Sequence, residues 1–179
     1  MIQKVVIGIV ATAALVGIGL LAIFMMQPSE VVMDHSQVVD ASPDAAFDYV
    51  DDFRSWQHWS PLAGSDNQVS FGGADRGEGA VMEWENDDES QAGQMTIVDS
   101  RPGESLEIEV ELRQPVTSWH TVDFTFEPVD DNGGTRVTWS TRTETSAPMR
   151  LFMSDDNIEE MLGADPDHAL AELAAVLEE

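Results

Sequence analysis

Four histidines and no cysteine set the limits of the chemistry this chain could do. His120 sits in "SWHTVDFTFEPV", where it shares the side of Val122, Phe124 and Phe126 in a period-two pattern and so would look inward. An imidazole with an ordinary pKa near 6.5 suits a general base there. It equally suits a core histidine hydrogen-bonded to the next strand. His35 has the parity of Val31 and Met33 and is open to the same two roles. His58 and His168 fall in a connection and at a helix start and are expected at the surface. The "DPDH" run at 165–168 holds residue types that bind metals, but acids in the first turn of a helix explain it through the helix dipole. "NDDES", "DDNGG" and "SDDNIEE" lack the ligand spacing of a calcium loop. No G-x-S-x-G elbow, H-E-x-x-H pair or P-loop occurs, and "GGADRGEG" reads as a turn rather than a phosphate cradle. No metal and no cofactor is expected.

Large, soft side chains carry a stronger pattern. Trp84, Phe124, Phe126 and Trp139 fall on inferred inward strand faces with Met82 and Met95. Such a wall serves a pocket for an apolar ligand, and it serves equally as plain core. Met161, in the C-terminal helical region, would face it, whereas Trp119 has the opposite parity and belongs outside. Trp56 and Trp59, in "DFRSWQHWSPL", stand in a connection, where polar residues are usual. They make sense as a plug closing one end of an apolar groove.

The elements that would position these residues are legible. "EVVMDHSQVVDAS" (30–42) alternates as a strand after a short linker at Pro28 and Ser29. Ser42 and Pro43 open a helix with Ala46, Phe47, Val50 and Phe53 on its apolar side, and a second short helix follows. Strands are expected over 67–71, 80–86, 91–100, 104–113, 118–129 and 135–144. In 104–113, Leu106, Ile108, Val110 and Leu112 alternate with Ser105 and three glutamates, a half-buried antiparallel strand. A helical turn around Ile158, Met161 and Leu162 precedes a helix capped by Asp165 and Pro166 and carrying Leu170, Leu173, Ala174 and Leu177. The result is an α+β chain, an antiparallel sheet wrapped on a helix.

Charge and hydropathy divide the chain of 179 residues in two. Val5 to Met26 carries no charge and is long enough to span a bilayer. It is too long for a typical signal-peptide core and lacks a small-x-small cleavage site. Residues 1–27 therefore read as a single transmembrane anchor, with 28–179 as one domain. Lys4 precedes the span and no basic residue follows it until Arg54. By the positive-inside bias the N-terminus is cytoplasmic and the domain lies outside the cell membrane. All 34 acidic residues fall in that domain against seven arginines, giving a net charge of −26 for the chain. Nucleic acid is repelled by such a field. Even spacing of the acids and the near loss of lysine favour adaptation to high salt over a basic partner. Protein partners are not legible.

"ASPDAAFDYVDDFRSWQHWSPL", "GEGAVMEWE", "GQMTIVDSRPGESLEIEVEL" and "FTFEPVDDNGGTRVTWS" together resemble the SRPBCC family, the START-like or helix-grip superfamily, in its polyketide cyclase/dehydrase branch. The resemblance covers about 30–178. It implies a curved sheet of about six or seven strands gripping a long C-terminal helix around a hydrophobic cavity. It implies a lipid or other apolar small molecule as partner, and in a minority of members catalysis on that molecule. On this reading Trp56, Trp59, Met82, Trp84, Met95, Phe124, Trp139 and Met161 line the cavity. Two alternatives stand beside it: a cyclase or dehydratase using His120 or His35, and a non-catalytic interaction or stress module.

Overall fold

A computed structural model describes residues 28–64, 67–86, 91–114, 117–129, 134–146 and 165–178, together with Gly17 and Gly19. The expected span from Val5 to Met26 lies outside the described residues apart from those two glycines, and the expected turn at 154–162 lies outside them entirely. Among the described residues no helix is long and apolar enough to cross a membrane.

Seven strands form one antiparallel sheet: β1 (Pro28–Val39), β2 (Asn67–Gly73), β3 (Ala80–Asn86), β4 (Ala92–Arg101), β5 (Ser105–Gln114), β6 (Ser118–Val129) and β7 (Gly134–Ser146). Their order is β1-β7-β6-β5-β4-β3-β2, so five successive hairpins are closed by the pairing of the first strand with the last. β1 takes in Pro28 and Ser29, which sequence reasoning assigned to a linker; they pair with Ser146 and Thr145. Proline is tolerated there as the first residue of an edge strand, where its missing N–H costs least.

Helix α1 (Pro43–Val50) starts as expected: the Ser42 hydroxyl accepts from the Ala45 amide and Pro43 occupies the first turn. Ala46, Phe47, Val50 and Phe53 are buried. The second short helix is instead two single 3-10 turns, Ser55–His58 and Pro61–Ala63. Pro61 has no amide hydrogen to continue the first turn, so the chain restarts there.

Asp51, at the end of α1, is 4 % exposed. Its carboxylate accepts from Arg76 Nε at 3.0 Å and from the Ser100 hydroxyl at 2.7 Å. Its backbone carbonyl takes the Gly77 amide at 3.1 Å. Hydrogen bonds to Asp48 and Asp51 hold the Arg76 guanidinium still more firmly charged than usual. One carboxylate thus ties α1, the β2–β3 turn and β4 together.

Helix α2 (Pro166–Leu177) is capped by Asp165, whose carboxylate accepts from the His168 amide at 3.0 Å. It buries Ala169, Leu170, Leu173 and Ala174 and packs on β1 and the first 3-10 turn. His35 Nδ1 on β1 lies 2.9 Å from Asp167 of α2, so helix and edge strand are joined by polar as well as apolar contact.

Antiparallel order gives the sheet two distinct ends. β1, β2, β4 and β6 begin, and β3, β5 and β7 finish, at the same end. That end is the one to which residues 1–27 are joined through Pro28. Trp84, Gly93, Leu112, His120 and Thr143 all lie in its half of the sheet.

Candidate functional site

Between the sheet and the connection after α1, the inner strand faces meet in an aromatic cluster. Trp56 and Trp59 approach to 4.6 Å between ring centroids, and Phe124 and Trp139 to 4.9 Å. Trp56 lies 6.0 Å from Phe124 and 6.2 Å from Trp139. Edge-to-face and tilted pairs of this kind contribute beyond simple burial. The Trp56 indole N–H donates to the Val50 carbonyl at 2.8 Å. The Trp59 indole N–H is buried with no partner among the described residues.

Beside this cluster, towards the Pro28 end, lies a small apolar cavity of about 30 Å³ lined by Trp84, Met95, Val110, Leu112, Val122 and Trp139, with Leu62 from the second 3-10 turn. His120 and Thr141 supply its polar edge. Of the residues expected from sequence to line a cavity, Trp84, Met95 and Trp139 do so. Met82, Phe124, Trp56 and Trp59 are buried in the surrounding core. Met161 lies outside the described residues. Thr141, Leu62, Val110, Leu112 and Val122 were not picked out as lining by sequence reasoning. Thr141 was available to it, since it shares the parity of Trp139 in "VTWSTRT".

The two candidate bases are not brought together. His35 faces α2 and is absent from the cavity wall. His120 is on that wall, 5 % exposed, with Nε2 at 2.8 Å from the Ser118 hydroxyl and Nδ1 at 2.9 Å from the Thr143 hydroxyl. Both ring nitrogens are therefore engaged, one donating and one accepting, because each hydroxyl can turn to either role. Burial lowers the His120 pKa below its usual 6.5, so the ring is neutral at pH 7. Trp139 Nε1 donates to Thr141 Oγ1 at 3.1 Å.

A depressed histidine pKa has a signed consequence for stability. Well above pH 6.5 neither folded nor unfolded His120 binds a proton, and its contribution is complete. As pH falls through 6.5 the unfolded chain takes up a proton that the fold refuses, so stability drops until the folded pKa is reached. The slope in that window is at most about 1.4 kcal/mol per pH unit. Urea denaturation at pH 7.5, 6.5 and 5.5 is expected to show a shallower pH dependence in His120→Gln than in the native chain. Equal slopes would refute it.

A wider, open cleft of about 470 Å³ lies at the same strand end, lined by Gln68, Ser70, Glu83, Glu85, Arg113 and Gln114 among others. Its cation is already engaged: Arg113 donates to Glu83 at 3.1 Å and to Gln94 at 2.7 Å. The first of these bonds raises its pKa. Among the described residues no group of three or more histidine, aspartate or glutamate side chains is placed to hold a metal.

Solved structures share this fold. A protein of Nitrosospira multiformis superposes with a TM-score of 0.60 at 22 % identity, covering 82 % of this chain and 96 % of its own. One of Rhizobium loti gives 0.60 at 17 %, covering 83 % and 98 %. One of Chromobacterium violaceum gives 0.58 at 16 %, covering 83 % and 97 %. At these identities the likeness speaks for the fold alone. No curated protein matches the chain. A family model described as "Polyketide cyclase / dehydrase and lipid transport" matches residues 30–178, nearly the whole domain. With the seven-stranded sheet, the C-terminal helix and the apolar cavity in place, the chain belongs to the polyketide cyclase/dehydrase and lipid transport family.

Proposed function

We propose that this chain is a membrane-held binding domain that takes a hydrophobic small molecule or lipid into the cavity on the inner face of its sheet. The observation that carries this reading is the apolar wall of Trp84, Met95, Val110, Leu112, Val122 and Trp139, interrupted by one neutral imidazole and one hydroxyl. Two further features support the arrangement at a membrane. The uncharged run from Val5 to Met26 has the length of a bilayer span. It joins the domain through Pro28, at the strand end nearest the cavity. Trp119, 68 % exposed, is the second residue of β6 at that same end, and an amphipathic indole suits a membrane–water interface. A ligand dissolved in the bilayer would then have a short path to the pocket.

Native mass spectrometry of the full chain extracted from its own membranes is expected to find a co-purifying apolar molecule at about one per chain. Val110→Phe, which fills the cavity from one wall, is expected to lose it while keeping the fold by circular dichroism. A chain that carries nothing, and whose tryptophan emission responds to no apolar probe, would sink the binding reading. Recovery of the full chain in the soluble fraction would sink the anchor.

An enzymatic reading rests on His120, the one titratable side chain on the cavity wall among the described residues. Its two hydroxyl partners engage both ring nitrogens, which favours a structural histidine. If any apolar ketide is turned over, turnover surviving in His120→Gln would end that reading.

A further inference from the structure

We infer that the cavity selects a neutral, mainly apolar molecule bearing one carbonyl, ether or hydroxyl oxygen, and that this oxygen takes the hydroxyl proton of Thr141. The inference rests on the binding role proposed above and narrows its ligand. Thr141 is 5 % exposed and lines the cavity. A threonine hydroxyl has one proton to give and room to accept two. Its oxygen already accepts from Trp139 Nε1, and among the described residues no acceptor takes its proton. A buried donor left unpaired is costly, and an oxygen delivered by a ligand removes that cost.

The charge on that oxygen follows from the wall around it. Among the described residues, none that borders the cavity is lysine or arginine. His120 is uncharged, its ring nitrogens are committed to Ser118 and Thr143, and the chain as a whole is strongly negative. Among these described residues a carboxylate would meet an apolar wall and no cation, the costliest form of burial. A free fatty-acid anion is therefore a poor ligand, whereas a ketone, ester, ether or alcohol of similar length fits. A volume of about 30 Å³ matches a single polar group rather than a whole chain. The apolar remainder must displace side chains, and Met95, unbranched and flexible, is the wall residue best able to yield.

The test uses the full chain in lipid nanodiscs at pH 8, titrated with 2-heptanone, heptane and heptanoate and read by tryptophan fluorescence, with empty nanodiscs correcting for partition. Heptanoate is expected to bind at least tenfold more weakly than 2-heptanone. Thr141→Val keeps the shape and removes the hydroxyl. It is expected to reduce the ratio of ketone to heptane affinity by about fivefold, the worth of one modest hydrogen bond. Thr141→Ser is expected to keep the native ratio. Heptanoate binding as tightly as the ketone, or an unchanged ratio in Thr141→Val, would overturn the inference while leaving the cavity a binding site. If none of the three probes binds, the proposed binding function falls together with it.

Discussion

Trp56→Ala is expected to remove about 3–5 kcal/mol of stability, the range for truncating a fully buried large aromatic residue. Trp56 is 0 % exposed and stands at the centre of the aromatic cluster, touching Phe53, Trp59, Phe124 and Trp139. Alanine leaves a cavity bounded by rigid rings, which cannot collapse inward as aliphatic chains do, so the loss belongs at the upper end. The Val50 carbonyl at the end of α1 also loses its indole donor, adding about 1 kcal/mol. Against a typical total of about 5–15 kcal/mol, one substitution removes a third or more. Thermal melting and urea denaturation of the full chain measure it. Trp56→Phe, which restores most of the ring but not the N–H, is expected to fall between. Trp119→Ala, at an exposed ring, is expected within about 0.5 kcal/mol of the native chain. Equal stability of Trp56→Ala and Trp119→Ala would refute this account of the core.

The same cluster bears on function. Two tryptophans in a connection look out of place if connections are taken as solvated. Here they fill the groove between the sheet and the chain after α1, and so reduce the space left for a ligand. What remains, about 30 Å³, is far below the roughly 300–1,000 Å³ of pockets that enclose drug-sized ligands. On the binding role proposed above, ligand uptake requires wall residues to move. Trp84, Leu62 and Met95 line the cavity without belonging to the Trp56, Trp59, Phe124 and Trp139 cluster, so their displacement would enlarge the space while leaving those ring contacts in place.

Much of the fold was legible because alternation along a strand encodes which face is buried. In 104–113 and 118–129 every second residue was placed correctly, from Leu106 to Phe126, and Trp119 was read outward and is outward. Caps were legible as well, since Ser42 and Asp165 act through side-chain chemistry carried by the residue itself. Contacts between distant residues were not. That the hydroxyls of Ser118 and Thr143 occupy both nitrogens of His120 depends on the β6–β7 register, His120 against Thr143, which no local pattern specifies. Asp51 read as one acid among 34, yet it is buried against Arg76 and Ser100, 25 and 49 residues away in sequence. The extra two residues of β1 were missed because Pro28 suggests a break, whereas pairing with β7 overrides that local preference. Cavity volume was the least legible quantity, being the small difference between the space the sheet encloses and the volume of its rings.

Gly93→Ala tests that wall directly. Gly93 pairs with Trp84 across β3 and β4 beside a register shift at Ala92. A β-carbon there would lie 2.5 Å from both Cζ2 and Cη2 of Trp84 and 2.7 Å from the Glu111 carbonyl oxygen. Both distances are well inside van der Waals contact, so ring and backbone must shift together. Backbone does not yield as a flexible side chain does, which puts the loss near the top of the overpacking range, about 3 kcal/mol. The displaced ring is a cavity wall, so binding changes as well as stability. Gly93→Ala combined with Trp84→Leu removes the ring clash but not the carbonyl contact. The double variant is therefore expected to be more stable than the sum of the two single losses, by about 1 kcal/mol or more of coupling between touching residues. Denaturant titrations of the native chain, both single variants and the double variant supply the cycle. Strict additivity, or a Gly93→Ala chain within about 0.5 kcal/mol of native, would show that the indole does not lie over this glycine. The wall that separates the cavity from the strand end would then have to be drawn from other residues.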